Sequence, residues 1–353
     1  LANAHRALEQ LTAKTQVLAQ MSAKFAHLSI DCQPVADITS IRSSGLAGGV
    51  LAPNGKIYGI PSQGFAVEIF DPATNTVDIT TLAGLGGGQK WHGGVLAGNG
   101  KIYGTPVSFS AVLIIDPATN AWDTTTIPVG AEEFKWAGAV LAPNGNIYCM
   151  PRQASTALII NPNTNSTSEL PLSGITNPGP KWTDGVLAAN NMIYAIPGTS
   201  SSVLIIDPER NAIDVTTITG LTGQGTKWWG GVLAGNGKIY GIPHDATSVL
   251  IIDPATNTAD TTALAGFPAV TRKWVDGVLG ISGKIYGMPF DTTSVLIIDP
   301  ATNTTDTTTF ARLPSQTDKW VGGVLAPNGK IYGMPFNAET ILVLSRTCEL
   351  NGL

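Results

Sequence analysis

Between residues 45 and 345, short apolar runs alternate with polar turns, and the same order of positions returns about every 46 residues. The unit is plainest at Lys319-Trp320, a spacer, Gly322-Gly323-Val324-Leu325-Ala326, Pro327-Asn328-Gly329 and Lys330-Ile331-Tyr332-Gly333-Met334-Pro335. Its second half is plainest at Val295-Leu296-Ile297-Ile298-Asp299-Pro300, followed by Ala301-Thr302-Asn303 and a Thr-rich segment ending at Thr309. The seven tyrosines, Tyr58, Tyr103, Tyr148, Tyr194, Tyr240, Tyr286 and Tyr332, all mark one position of this repeat, at spacings of 45, 45, 46, 46, 46 and 46.

Each unit reads as four strands. Gly-Gly-Val-Leu-Ala is the first, and the Asn-Gly after it is a hairpin signal expected to supply two residues with positive φ. Lys-Ile-Tyr-Gly is the second, ended by a Pro that cannot donate to a ladder. Val-Leu-Ile-Ile is the third, an unbroken apolar run suited to a strand buried on both faces. Asp-Pro-Ala-Thr-Asn is a turn, with Asp at its first position and Pro pre-setting φ at the second. The Asp/Thr segment is the fourth, β-prone yet polar, as an outer edge strand should be.

Seven such units predict an all-β, seven-bladed β-propeller of four-stranded blades over residues 29–353. The last unit reaches its third strand at Ile341-Leu342-Val343-Leu344 and has no fourth. Val35-Ala36-Asp37-Ile38-Thr39 resembles the fourth strand at Thr258-Ala259-Asp260-Thr261-Thr262, so an N-terminal strand is expected to complete the last blade. Aligning the units sets Cys32 beside Ala301 and Cys348 beside Thr302, in one turn of that blade. A Cys32–Cys348 disulfide is therefore expected, and with it an extracytoplasmic location: secreted, cell-surface or organelle lumen. Cys149 is expected to be a buried free thiol.

Residues 1–28 read differently. Residues 2–27 lack Gly and Pro and are rich in helix formers. Ala4, Leu11, Leu18 and Phe25 are seven apart, as are Ala7, Lys14, Met21 and Leu28, giving a heptad seam with Lys14 as its one defect. An amphipathic helix is predicted over 1–28, with Leu11, Leu18, Met21 and Phe25 as docking residues for a partner. The alternative is a helix lying on its own propeller. Leu1 in place of Met, with no signal-like apolar core behind it, fits a processed chain or a fragment.

Composition narrows the function classes. Only 13% of residues are charged, and the net charge of −5 is spread without a basic run, which argues against nucleic acid as a partner. No apolar stretch approaches the roughly 20 residues that span a bilayer. No zinc-ligand cluster, phosphate loop or nucleotide fingerprint is present, so no cofactor is expected and any metal is left undefined.

The Gly-Gly doublet, the tyrosine and the Asp-Pro-x-Thr-Asn turn resemble kelch-type propeller repeats, although here the doublet lies in the first strand rather than at the end of the second. Gly231-Val232-Leu233-Ala234-Gly235-Asn236-Gly237-Lys238-Ile239-Tyr240, with Ile251-Ile252-Asp253-Pro254, is similar to repeats of streptogramin-lyase-like propellers. As a whole the repeat is most similar to uncharacterised propeller-repeat proteins of unicellular algae and other protists. The resemblance covers residues 45–345. It implies the fold, and leaves activity open, because propellers host binding proteins, lyases, lactonases and scaffolds.

One face of such a propeller carries near-identical turns, so function is expected on the variable loop face. Lys-Trp precedes the first strand in six units, from Lys90-Trp91 to Lys319-Trp320, with Gly45-Leu46 in the other. This pair is expected to pack between blades, the Lys covering the Trp or pairing with a fourth-strand Asp. Departures from the repeat are the candidate ligand residues: Asp184 and Asp276, which replace the first Gly of the doublet; His92, just before it; and Arg152, His244 and Asp291, just after the second strand. Asp184 and Asp276 could hold a cation or polar ligand, or be solvated channel residues. No Ser/His/Asp arrangement stands out, so no catalytic residue is assigned. The expectation is a non-catalytic binding or scaffold propeller that docks to a protein partner or larger complex through its helix and loop face. The alternatives are a lyase- or lactonase-type enzyme with a site at the channel mouth, and a carbohydrate-binding lectin. The sequons at Asn165 and Asn303 would be glycan acceptors on a secretory route.

Overall fold

The computed structural model describes residues 29–39, 44–172 and 179–351; the side chains of 29–34, 37–39 and 346–351 lie outside the described residues. The segment 1–28 with Leu11, Leu18, Met21 and Phe25 is likewise outside them, and there is no helix among the described residues. The chain divides into two compact units, Leu1–Val35 with Ser345–Leu353, and Ala36–Leu344.

The larger unit is a seven-bladed β-propeller of four-stranded blades. In blade one the strands Leu46–Leu51, Ile57–Pro61, Glu68–Asp71 and Thr76–Asp78 pair antiparallel in sequence order. The innermost strands are Leu46–Leu51, Trp91–Leu96, Trp136–Leu141, Trp182–Leu187, Trp228–Leu233, Trp274–Leu279 and Trp320–Leu325. Each packs beside the next and the last beside the first, so the ring is closed. In the seventh sheet Ile331–Pro335 pairs with Trp320–Leu325 on one side and with the strand that begins at Ile341 on the other.

The core lies between blades. Tyr58, Ile60 and Ile69 of blade one pack with Trp91, Ile102 and Leu113 of blade two, while Ile57 and Phe70 face Tyr332, Met334 and Val343 of blade seven. Alternate residues of each strand thus serve opposite neighbours, which is why the second and third strands are apolar at nearly every position.

The hairpin between first and second strands differs from the expectation. Only Gly55 takes positive φ; Asn54 does not. Gly55 N–H donates to the Ala52 carbonyl, so Ala52-Pro53-Asn54-Gly55 is a turn with Pro at its second position. Asn54 is retained for its side chain. It accepts from Lys56 N–H at 3.1 Å and donates to the Tyr58 hydroxyl at 3.0 Å and the Pro117 carbonyl of blade two at 3.3 Å. Tyr58 in turn donates to Asn120 Oδ1 at 2.8 Å. The same latch recurs through Tyr103–Asn165, Tyr148–Asn211 and Tyr194–Asn257, and Asn328 reaches the Pro72 carbonyl to tie blade seven to blade one. Asn165, one of the two sequon residues, is therefore engaged with Tyr103.

The outer strands are also shorter than expected. Asp78 accepts from the Thr80 and Thr81 amides and turns the chain after three residues. Blade three has Ser168 there, and its outer strand Ser166–Pro171 runs for six residues. Cys149 is a buried free thiol, as expected; burial pushes it up to about 12 despite a contact from Thr105. Cys32 and Cys348 sit on neighbouring strands, with side chains outside the described residues.

Candidate functional site

The loop face is built by a strap repeated around the ring. The residue before each innermost strand donates its N–H to a loop carbonyl of the preceding blade: Lys90 to Ser62, Lys135 to Val107, Lys181 to Arg152, Lys227 to Gly198, Lys273 to His244, Lys319 to Phe290 and Gly45 to Phe336. All six lysines are buried, and the heads of Lys90, Lys135, Lys227, Lys273 and Lys319 bond carbonyls rather than fourth-strand aspartates. Lys227 Nζ, for example, donates to Gly198 and Ser200 at 2.6 and 2.8 Å. The adjoining indoles donate to a loop carbonyl of their own blade, Trp91 to Ala111 and Trp182 to Ser202 at 2.9 Å each. Burial pulls Lys90, Lys227 and Lys319 down to about 8. The Lys-Trp ring is therefore internal structure.

The strap places seven residues around the mouth of the channel: Ser62, Val107, Arg152, Gly198, His244, Phe290 and Phe336. Inside them, on the innermost strands, stand Ala47, His92, Ala137, Thr183, Trp229, Val275 and Val321. Next along those strands come Gly48, Gly93, Gly138, Asp184, Gly230, Asp276 and Gly322. In six blades this last residue has positive φ, including Asp276 at 57°; blade four is the exception. There the ladder irregularity lies between Trp182 and Asp184, so Thr183 is left out of register.

Trp229 of blade five reaches across the mouth. Its ring lies 5.5 Å from His92 of blade two and 5.3 Å from His244, and the Arg152 guanidinium of blade three stands 5.5 Å over it. Arg152 also covers Phe134 at 5.0 Å. Among the described residues, three buried nitrogens in this cluster have no polar partner, His92 Nδ1, Arg152 Nε and Trp229 Nε1, while the fourth, His244 Nδ1, is met by Asp245 Oδ1 at 2.8 Å. Burial, with the Arg152 charge beside it, drives His92 down to about 3, so the ring is neutral at pH 7. Burial also lowers Arg152, which stays cationic as guanidinium does in proteins. On the other side Ala47, Val275 and Val321 form a small apolar cluster flanked by Trp229, Phe290 and Phe336. The mouth thus has a polar half and an apolar half.

Asp184 and Asp276 lie on the innermost strands, one residue beyond the ring that carries His92 and Trp229, and part of each meets the channel solvent. Burial raises Asp184 well above the usual range, the Asp276 charge raises it further, and a bond from Gly185 N–H only partly opposes this. Burial likewise raises Asp276. Each leans on a glycine: a Cβ added to Gly138 would sit 2.1 Å from Asp184 Oδ1, and one added to Gly230 would sit 2.1 Å from Asp276 Oδ1. Two like charges in a partly desolvated site disfavour both carboxyls being ionised together.

His244 is 6% exposed, its Nδ1 2.8 Å from Asp245 Oδ1. Burial pushes Asp245 up, but bonds from His244 and the amides of Arg272 and Thr226 outweigh it and hold the carboxyl below its usual range. Asp291 caps the Asp318 amide at 2.7 Å and pairs with Arg272 at 3.0 Å, which positions loops rather than facing the mouth cluster. Of the six candidate ligand residues, His92, Arg152 and His244 meet around one indole, while Asp184 and Asp276 form a separate pair. Trp229 was not singled out from sequence, although it follows Trp228 in the ring position that His92 occupies in blade two. A groove of about 530 Å³ is lined by 220–225, 227–228, 245–248, 261 and 269–271. No group of three or more metal-ligating side chains converges among the described residues.

No protein-family model matches the sequence, and no curated protein matches it. Many solved structures share the fold. A streptogramin B lyase superposes with a TM-score of 0.72 at 12% identity, covering 89% of this chain and 98% of its own. A hydrazine synthase chain from Kuenenia stuttgartiensis gives 0.64 at 14%, covering 88% and 97%. An extracellular domain of a two-component system from B. thetaiotaomicron gives 0.64 at 10%, covering 91% of this chain and 40% of that one. At these identities the likeness is one of fold: seven-bladed propellers that include an enzyme and extracellular domains.

Proposed function

We propose that this chain is a binding propeller that recognises its ligand or partner with the loop face. One observation carries the reading: His92 Nδ1, Arg152 Nε and Trp229 Nε1 gather without partners among the described residues where three blades meet the channel. Buried polar atoms are nearly always paired, so three orphans in one cluster mark a place where something from outside supplies the bonds. On this reading residues 1–28 form the attachment helix, docking a protein partner or larger complex through Leu11, Leu18, Met21 and Phe25. The N-terminal strand completes blade seven, Cys32 and Cys348 bridge the two ends, and the protein works outside the cytoplasm. The kelch-like repeat pattern and the likeness to algal and protist propeller-repeat proteins belong to the same proposal.

The test is to follow the eight indole N–H signals by NMR during titration with a mixed set of small acids, amines and sugars. Trp229 should move while the carbonyl-bonded indoles hold. No movement at Trp229 with any compound, or equal movement of all eight, would count against the reading. A sugar response at Trp229 would favour the lectin alternative, since the six repeated tryptophans are committed to packing. The raised Asp184–Asp276 pair is what favours an enzyme. Metal analysis of the purified protein tests that reading, and a stoichiometric cation lost in Asp276→Asn would support it.

A further inference from the structure

Two arginines on the loop face stack alike, and their surroundings differ. Arg272 covers Phe290 at 5.0 Å, pairs with Asp291 at 3.0 Å, and is also bonded to Asp318. Arg152 covers Phe134 at the same 5.0 Å, and among the described residues no carboxylate pairs with it. A largely buried cation without a counter-charge is unfavourable, and an anion from outside offsets that cost. Arg152 Nε–H and Trp229 Nε1–H are both donors, the first of them charged, and His92 is a neutral ring beside them. Such a set favours an oxyanion over an ammonium or a metal ion.

The rest of the mouth limits what the oxyanion is attached to. His92 and the guanidinium stand on blades two and three, whereas blades six and seven offer only the apolar rings of Phe290 and Phe336, backed by the buried Val275 and Val321. Phe290 and Phe336 are partly open, their rings 6.3 Å apart, and Trp229 bridges the two halves. A bare inorganic anion would leave the apolar half wet, and a neutral hydrocarbon would leave Arg152 unpaired.

We infer that the channel mouth takes a monocarboxylate carrying an apolar body, with the carboxylate at Arg152 and the Trp229 indole N–H and the apolar part against the rings of Phe290 and Phe336. The inference rests on the binding role proposed above and names the ligand class for that site. Orientation follows from the division of the mouth: the charged end points towards blades two and three.

The experiment is calorimetric titration of the full chain with 3-phenylpropionate, 3-phenylpropanol and acetate, with the Trp229 indole signal followed in parallel. One equivalent of 3-phenylpropionate should bind, and the alcohol and acetate should each bind at least about tenfold more weakly. Arg152→Met should weaken the acid by about 10- to 100-fold while leaving the alcohol unchanged. Arg152→Lys, which keeps the charge without the planar fork, should recover part of the loss, showing that the site is still folded. If the alcohol binds as tightly as the acid and Trp229→Ala abolishes both, the carboxylate class is wrong and the mouth is still a ligand site. If none of the three binds and the Trp229 signal stays fixed, this inference and the binding role fall together.

Discussion

The two faces of the propeller are made from the same repeat and have opposite bonding states. On the turn face the recurring polar groups bond one another between blades: Asn144 bonds Tyr148 and the Pro208 carbonyl, and Tyr148 bonds Asn211. On the loop face the recurring Lys-Trp strap is bonded in the same way, while the residues that break the repeat, His92, Arg152 and Trp229, leave nitrogens unpaired among the described residues. A residue kept in every blade is kept for packing or bonding that every blade needs. A residue that differs between blades is free of that demand, and here three such residues gather at one point.

That contrast can be broken most directly by comparing two tryptophans on the same face. Trp182→Ala should lose about 3–5 kcal/mol, because it empties a fully buried site between blades and leaves the Ser202 carbonyl unpaired. Trp229→Ala should change stability by less than about 1 kcal/mol, because the indole is partly open and bonds nothing. Urea unfolding measures both; equal losses would mean that Trp229 is packing like the others.

Asp276 sharpens the comparison from inside the channel. An acid whose folded pKa lies above its unfolded one binds more protons in the native chain, so stability falls as pH rises between the two, here from 3.8 to about 7. Asp276→Asn removes that loss and tolerates the same positive φ. It should stabilise the protein by about 1–3 kcal/mol near pH 8 and have little effect near pH 4, read as a pH series of unfolding curves. A gain independent of pH would contradict the carboxyl-pair reading.

Smaller effects belong to the turn face. Tyr148→Phe keeps the ring and removes the hydroxyl that joins Asn144, Pro208 and Asn211, so a loss of about 1–2 kcal/mol is expected. Lys56→Ala removes only an exposed pair with Asp71 at 3.8 Å, and thermal unfolding should shift by no more than about 0.5 kcal/mol equivalent. A Lys56 effect as large as that of Tyr148 would show that surface charge, not the buried latch, ties the turns together.

Blade number, strand order and the division into a uniform and a variable face were all legible in the spacing of the seven tyrosines and the Gly-Gly, Asn-Gly and Asp-Pro signals, because each is a local rule repeated seven times. The sequence also marked His92, Arg152, His244, Asp184 and Asp276 as exceptions to that rule. It could not say which exceptions meet. Trp229 and His92 are 137 residues apart, and only closure of the ring sets their rings 5.5 Å apart across the channel. The inter-blade role of Asn54 was equally hidden, since Asn-Gly also encodes a simple hairpin and its partner, the Pro117 carbonyl, belongs to the next blade. Local pattern determined what each blade is; the circular packing of the blades decided which side chains became neighbours, and so where this protein carries unpaired chemistry.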